Sequence, residues 1–164
     1  MHHTSGVPDY LKLLDSQGHP ESKLTTRQQA LATLRTAKLS FRPGSDWEYS
    51  NSNYLLLEAN VPYEQVGDAG IQTTPGELVR WADNYRTGKV GGAVLTHAVL
   101  KGAADSRIGD GVRYGAGIAQ LPDGSLWHNG VLGGFLTDLW ISRDRRDSVA
   151  SPATATGWTL LACA

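Results

Sequence analysis

The chain is short of the residues that staple, span or polarise a fold. Of its 164 residues only Cys163 is a cysteine, which excludes an intrachain disulfide and leaves the redox compartment open. No run approaches the roughly 20 apolar residues of a membrane helix. Met1-His2-His3-Thr4-Ser5-Gly6 has neither the basic start nor the apolar stretch of a signal peptide. A cytoplasmic product is expected for the chain as given, with a longer, exported relative whose leader lies upstream as the alternative. Charge of one sign is lacking too. Fifteen Lys and Arg against 16 Asp and Glu leave a net −1, so neither nucleic acid nor an anionic membrane is expected as partner. His2, His3, His19 and His97 show no metal-ligand spacing. They read as surface groups, and no metal or other cofactor is expected.

What is present is ordinary for a globular domain: 40% hydrophobic and 19% charged residues. A chain of this length buries roughly 70% of its unfolded surface, and the length prior is one domain. Glycine is the exception. Nineteen glycines are about 12% of the chain, against a usual ~7%, and predict many tight turns.

Punctuation divides the sequence into elements. Residues 4–9 form a turn, Tyr10 to Leu14 a short apolar segment, and 15–23 a polar loop with Gly18 and Pro20. Thr26 and Gln29 make a capping box, after which Ala30, Leu31, Leu34 and Ala37 recur at helical spacing to a stop near Lys38. Thr74-Pro75-Gly76-Glu77 is the strongest local signal: N-cap, proline at the first helical position, and a closing glutamate. Leu78, Trp81, Ala82 and Tyr85 then form one apolar face, Gly88 ends the helix, and residues 93–100 form another.

From Val112 the period changes. Tyr114 to Gln120 reads as a glycine-rich strand, Pro122-Asp123-Gly124 as a hairpin turn, and Ser125 to Asn129 as the return strand. Phe135, Thr137, Leu139 and Ile141 alternate with Leu136, Asp138, Trp140 and Ser142, a period of two. Arg143 to Asp147 reads as a solvated hairpin end. Trp81, Trp127 and Trp140 are expected in the core or on a pocket wall. Helices first and an antiparallel meander last give an α+β class, an antiparallel sheet flanked by helices.

Four motifs carry a resemblance. Residues 41–57, Phe-Arg-Pro-Gly-Ser-Asp-Trp-Glu-Tyr-Ser-Asn-Ser-Asn-Tyr-Leu-Leu-Leu, bring Tyr49, Ser50 and Asn51 to the start of an apolar helix. His3-Thr4-Ser5-Gly6-Val7-Pro8 precedes them. Gly67-Asp68-Ala69-Gly70-Ile71-Gln72-Thr73-Thr74 follows, and His128-Asn129-Gly130 with Gly133-Gly134-Phe135 comes last. In this order they resemble the Tyr-x-Asn and His-x-Gly motifs of the serine β-lactamase and penicillin-binding-protein superfamily, particularly class C β-lactamases and family VIII esterases.

The resemblance implies a shortened β-lactamase/transpeptidase-like domain over residues 1–150, with 151–164 as a C-terminal tail. It implies a serine hydrolase acting by acyl transfer on an ester or amide (a β-lactam, D-peptide or short-chain ester). Tyr49 would be the catalytic proton-transfer group, with Asn51, His128 and Gly130 binding substrate. The chain departs from the family in three places. No serine has lysine three residues on, so the Ser-x-x-Lys nucleophile motif is missing and the nucleophile is unknown. Leu55-Leu56-Leu57 runs almost directly into Val61-Pro62-Tyr63-Glu64, where the family has a longer insertion. After Ser148-Val149-Ala150 the family's last strand and long helix are not read, and the Ala- and Thr-rich remainder looks unrelated.

A serine hydroxyl is a poor nucleophile without a base in hydrogen-bond reach, and a phenol acts as one only when nearby cations lower its pKa from about 10. The alternative expectation is therefore a non-catalytic relic or fragment that keeps a pocket shape or needs a partner chain. Ser5 and Ser50 lack a convincing base. Losing elements at both ends would uncover a sheet face and predicts a homo-oligomer.

Overall fold

The computed structural model describes residues 2–19, 25–58, 73–132 and 135–154. Two compact units divide the chain, one spanning His3–Gly70 and the other, with His2, spanning Ile71–Ala164.

In the first unit, α1 (Tyr10–Ser16) starts because Asp9 caps it, Oδ1 accepting the Leu11 N–H at 2.8 Å. The expected capping box opens α2 (Arg27–Thr36): Thr26 accepts from the Gln29 N–H and the Gln29 side chain accepts from the Thr26 N–H. α3 (Ser52–Glu58) begins directly after Tyr49-Ser50-Asn51. Tyr10, Leu14, Ala30 and Leu55 close a core, with Leu11, Leu31 and Leu34 against it. Burying a leucine such as Leu55 stabilises by about 2 kcal/mol. Gly6 has φ +74°, and a Cβ there would lie 2.1 Å from the Phe41 carbonyl oxygen, so only glycine fits.

The second unit opens with α4 (Pro75–Ala82), capped by Thr74 through the Glu77 N–H. The glutamate does not close a box as the sequence suggests; its carboxylate pairs with Arg80 instead. A break at Asp83 separates α4 from α5 (Asn84–Thr87), which ends at left-handed Gly88 as expected. α6 (Gly92–Leu100) follows.

Among the described residues six antiparallel strands pair in chain order: β1 (Ala104–Asp105), β2 (Arg113–Tyr114), β3 (Ala119–Gln120), β4 (Leu126–Leu132), β5 (Phe135–Ile141) and β6 (Ser148–Thr154). The fold is thus α+β with an antiparallel sheet flanked by helices. Ala82, Ile118, Leu126 and Ile141 form the core, with Tyr85, Val99, Leu100 and Leu139 packed on it.

Several details correct the sequence reading. Tyr114 to Gln120 is not one strand but a hairpin, because Gly115 and Gly117 let the chain reverse and the Gly115 N–H bonds back to the Ile118 carbonyl at 2.8 Å. The sheet does not stop at Ala150: β6 pairs with β5 from Ser148 to Thr154. Pro152 falls on β6, last in the order of the described strands, where proline is tolerated. Trp140 is half-exposed rather than core, whereas Trp81, also half-exposed, lies in the wall of a cleft as the core-or-pocket-wall reading allows. The readings on residues 61–64, 67–72, 133–134 and 155–164 lie outside the described residues. Among the described residues no helix is long and apolar enough to cross a membrane.

Candidate active site

Tyr49 and Asn51 lie in the first unit. His3 organises their surroundings. Read from sequence as a surface group, it is 1% exposed and sits at φ 55°, a left-handed conformation rare for a side chain of this size. Its ring stacks on Tyr49 with centroids 4.2 Å apart and planes 27° apart, and meets Trp47 edge-on at 6.0 Å. The Nδ1 atom accepts the Ser50 N–H at 3.1 Å, and the His3 carbonyl accepts the Glu48 N–H. Residues 48–50 are therefore moulded around a buried imidazole, and Tyr49 is left partly exposed on top of it.

Asn51 is fixed from below by Asp9, which is buried. Asp9 Oδ2 accepts both the Asn51 N–H at 2.8 Å and Nδ2 at 2.9 Å. A carboxylate only accepts, so the amide nitrogen must face it. Of the donor expected from sequence, one N–H is committed to Asp9, and Oδ1 makes no hydrogen bond among the described residues. The Asn51 carbonyl meanwhile accepts from Tyr54 and Leu55, starting α3.

None of the described serines is paired with a base. Ser5 Oγ donates to Asn53 Oδ1 at 2.6 Å, and Ser52 Oγ donates to the Pro8 carbonyl at 2.7 Å. Ser50 Oγ is buried and has no partner among the described residues. No described serine oxygen is hydrogen-bonded to a lysine, histidine or tyrosine side chain. Tyr54 packs beneath this network, and burial raises its pKa.

His128 and Gly130 lie in the second unit, on β4. His128 Nε2 is 2.7 Å from the hydroxyl of Tyr114, which is 2% exposed. Burial lowers the His128 pKa, against a smaller opposing effect of a hydrogen bond with the Asn129 backbone, so the neutral imidazole is favoured. Gly130 pairs with Thr137, and a Cβ at 130 would fall 2.6 Å from Thr137 Oγ1. β4 has β5 along its whole length on one side, but β3 covers only Leu126 and Trp127 on the other. Residues 128–132 thus form a ladder edge among the described strands. His3, Asp9 and Tyr114 were missed because their partners lie 47, 42 and 14 residues away. The His-Thr-Ser-Gly resemblance was the one signal that pointed at His3. Among the described residues no group of three or more His, Cys, Asp or Glu could hold a metal.

A Tyr-x-Asn turn opening a helix and a glycine-bearing strand edge, in this α+β architecture, define a β-lactamase/penicillin-binding-protein-like fold. Residues 1–62 match the family model described as Beta-lactamase. The chain is similar to a penicillin-binding protein from Bacillus halodurans (TM-score 0.73, 17% identity, 95% of this chain and 67% of that one). It is also similar to a D-stereospecific amidohydrolase from Streptomyces sp. (TM-score 0.69, 17% identity, 93% of this chain and 66% of that one). A third likeness is to a D-amino acid amidase from Ochrobactrum anthropi SV3 (TM-score 0.66, 14% identity, 93% of this chain and 69% of that one). The chain spans about two thirds of the length of these structures. No curated protein sequence matches it. The fold class read from the motifs therefore stands, and the superfamily resemblance is met by the family model over residues 1–62.

Proposed function

We propose that this chain carries the substrate-pocket part of a β-lactamase-type serine hydrolase that acts on an amide or ester by acyl transfer. The observation that carries the reading is the Tyr49–Asn51 turn, held from beneath by His3 and Asp9 at the start of α3. Tyr49 would move a proton at its phenol oxygen, a role supported by its partial exposure above the His3 ring. Asn51 offers Oδ1 and its remaining N–H to a substrate amide. In the second unit, taken by itself, Gly130 and its neighbours carry backbone groups along the edge of β4. The neutral His128 faces Tyr114 and shapes the same strand. The two amidases among the similar structures make a D-configured amide the first substrate to try.

A second reading, a non-catalytic domain that needs a partner chain, is favoured by the serines. None has lysine at the third following position, and none of those described has a base on its oxygen. Self-association belongs with this reading: Val131, Trp140 and Val149 are half-exposed or more, on the sheet face opposite Leu126 and Ile141. Size-exclusion chromatography at two protein concentrations tests it, and a clean monomer at both counts against it.

The enzyme reading is tested with D-phenylalanine p-nitroanilide and p-nitrophenyl acetate, each against the Tyr49→Phe variant. Turnover that falls at least ~100-fold in the variant supports it. Absence of turnover, together with no covalent adduct of a fluorophosphonate by intact mass, leaves the non-catalytic reading.

A further inference from the structure

The second unit contains a cleft of about 460 Å³ between α4–α5 and the β5–β6 hairpin. Its size lies within the range of small-molecule sites. It is separate from the ladder edge of β4: Ile141 in its wall pairs with Leu126, four residues from Gly130, or ~13 Å along the strand.

The lining is amphipathic and its charge is not balanced. Trp81 and Val90, each half-exposed, supply apolar surface. Arg80, Lys89, Arg145 and Arg146 supply four cations. Glu77 pairs with Arg80, and Asp144 lies 3.8 Å from Arg146. Asp83, the carboxylate of the wall, pairs with Arg86. Among the described residues neither Lys89 nor Arg145 is in an ion pair with a carboxylate, and Asp144 acts on Arg145 only as a nearby charge.

Arg145 is the sharper case. It is half-buried at φ 62°, and Nη1 donates to the Gly124 and Ser142 carbonyls at 2.9 and 2.8 Å. These neutral acceptors orient the guanidinium, and burial lowers its pKa against smaller opposing effects of Tyr85 and Asp144. A partly desolvated guanidinium with Nε and Nη2 uncommitted is suited to a carboxylate. The turn bearing Lys89 and Val90 is fixed in advance: Asn84 Oδ1 accepts the Val90 N–H at 2.7 Å and Nδ2 donates to the Val90 carbonyl at 3.2 Å. Little ordering is left for a ligand to impose.

We infer that this cleft binds a small organic carboxylate, its anionic head between Lys89 and Arg145 and its aromatic or alkyl body on Trp81 and Val90. The site is independent of the acyl-transfer reading.

Isothermal titration calorimetry of the full chain with 4-phenylbutyrate tests it. Saturable binding is expected, about 10-fold tighter than for 4-phenylbutan-1-ol, which lacks the charge, or butyrate, which lacks the body. Lys89→Ala, on an exposed turn, should weaken binding about 5-fold with an unchanged unfolding transition. Arg145→Lys keeps the charge but loses the fork, and should weaken it about 3-fold. The proposal is overturned if the alcohol binds as well as the acid, if neither variant alters affinity, or if no saturable heat is seen.

Discussion

Asn51 and Gly130 are held in place by different physics. Asn51 depends on the carboxylate of Asp9, and Tyr49 beside it depends on the ring of His3. Both supports are buried side chains more than 40 residues away in sequence. Gly130 depends on backbone register, paired with Thr137 inside a seven-residue ladder. The first arrangement concentrates its support in two residues, and a single substitution can remove it. The second spreads support over many weak backbone bonds, so a substitution there acts through steric fit.

This contrast can be broken most directly at His3. His3→Ala removes a buried ring, its stack on Tyr49 and the acceptor for the Ser50 N–H. A loss of about 3 kcal/mol is expected, read as a lower urea midpoint and faster amide exchange at residues 48–50. A loss below ~1 kcal/mol would show that the turn holds itself.

Asp9→Ala comes next. It leaves three donors without their acceptor, the N–H groups of Leu11 and Asn51 and the Asn51 amide. About 2 kcal/mol should be lost, and a double-mutant cycle with Asn51→Ala should return a coupling of about 1 kcal/mol. Zero coupling would mean that the bond from the Asn51 side-chain amide to Asp9 adds nothing.

Gly130→Ala should cost about 1.5 kcal/mol through the clash with Thr137 Oγ1, measured by thermal unfolding. In a Thr137→Ala background most of that cost should vanish. If it persists undiminished, the glycine is required by the backbone and not by its cross-strand neighbour.

The smallest effect concerns pH. Burial holds the His128 pKa below its ordinary 6.5, so the unfolded chain takes up that proton first. His128 therefore contributes stability that is complete above about pH 6.5 and is lost as pH falls below it. His128→Gln should flatten this part of the stability profile between pH 7 and 5, by denaturant titration at each pH. An unchanged profile would remove His128 as its source.

Local signals were legible where one element supplied both partners. Thr26 with Gln29 and Thr74 with Pro75 announced their helices because a cap is satisfied within four residues. The alternation from Phe135 to Ile141 announced β5 because a strand's faces repeat every two residues. The glycine-rich stretch after Tyr114 misled, since glycine is compatible with a strand and with a reversal, and the return bond from Gly115 to Ile118 decided for the hairpin. The end of β6 was missed for a related reason: Ser151-Pro152-Ala153-Thr154 has weak strand preference of its own, and the ladder with β5 supplies what propensity lacks. Of the candidate site, Tyr49, Asn51, His128 and Gly130 stood out through motif resemblance, whereas their supports did not.

The sequence by itself determined the α+β order, the helix starts, the hairpin turn at Pro122-Asp123-Gly124, the family likeness of its motifs and the lack of a Ser-x-x-Lys. These follow from spacing and residue type within a few positions. Tertiary structure alone decided that His3 is a buried platform, that Asp9 orients Asn51, that Tyr114 meets His128, and that Lys89 and Arg145 share a cleft. Each joins residues far apart in the chain, and a buried polar group is satisfied by whichever partner folding brings to it.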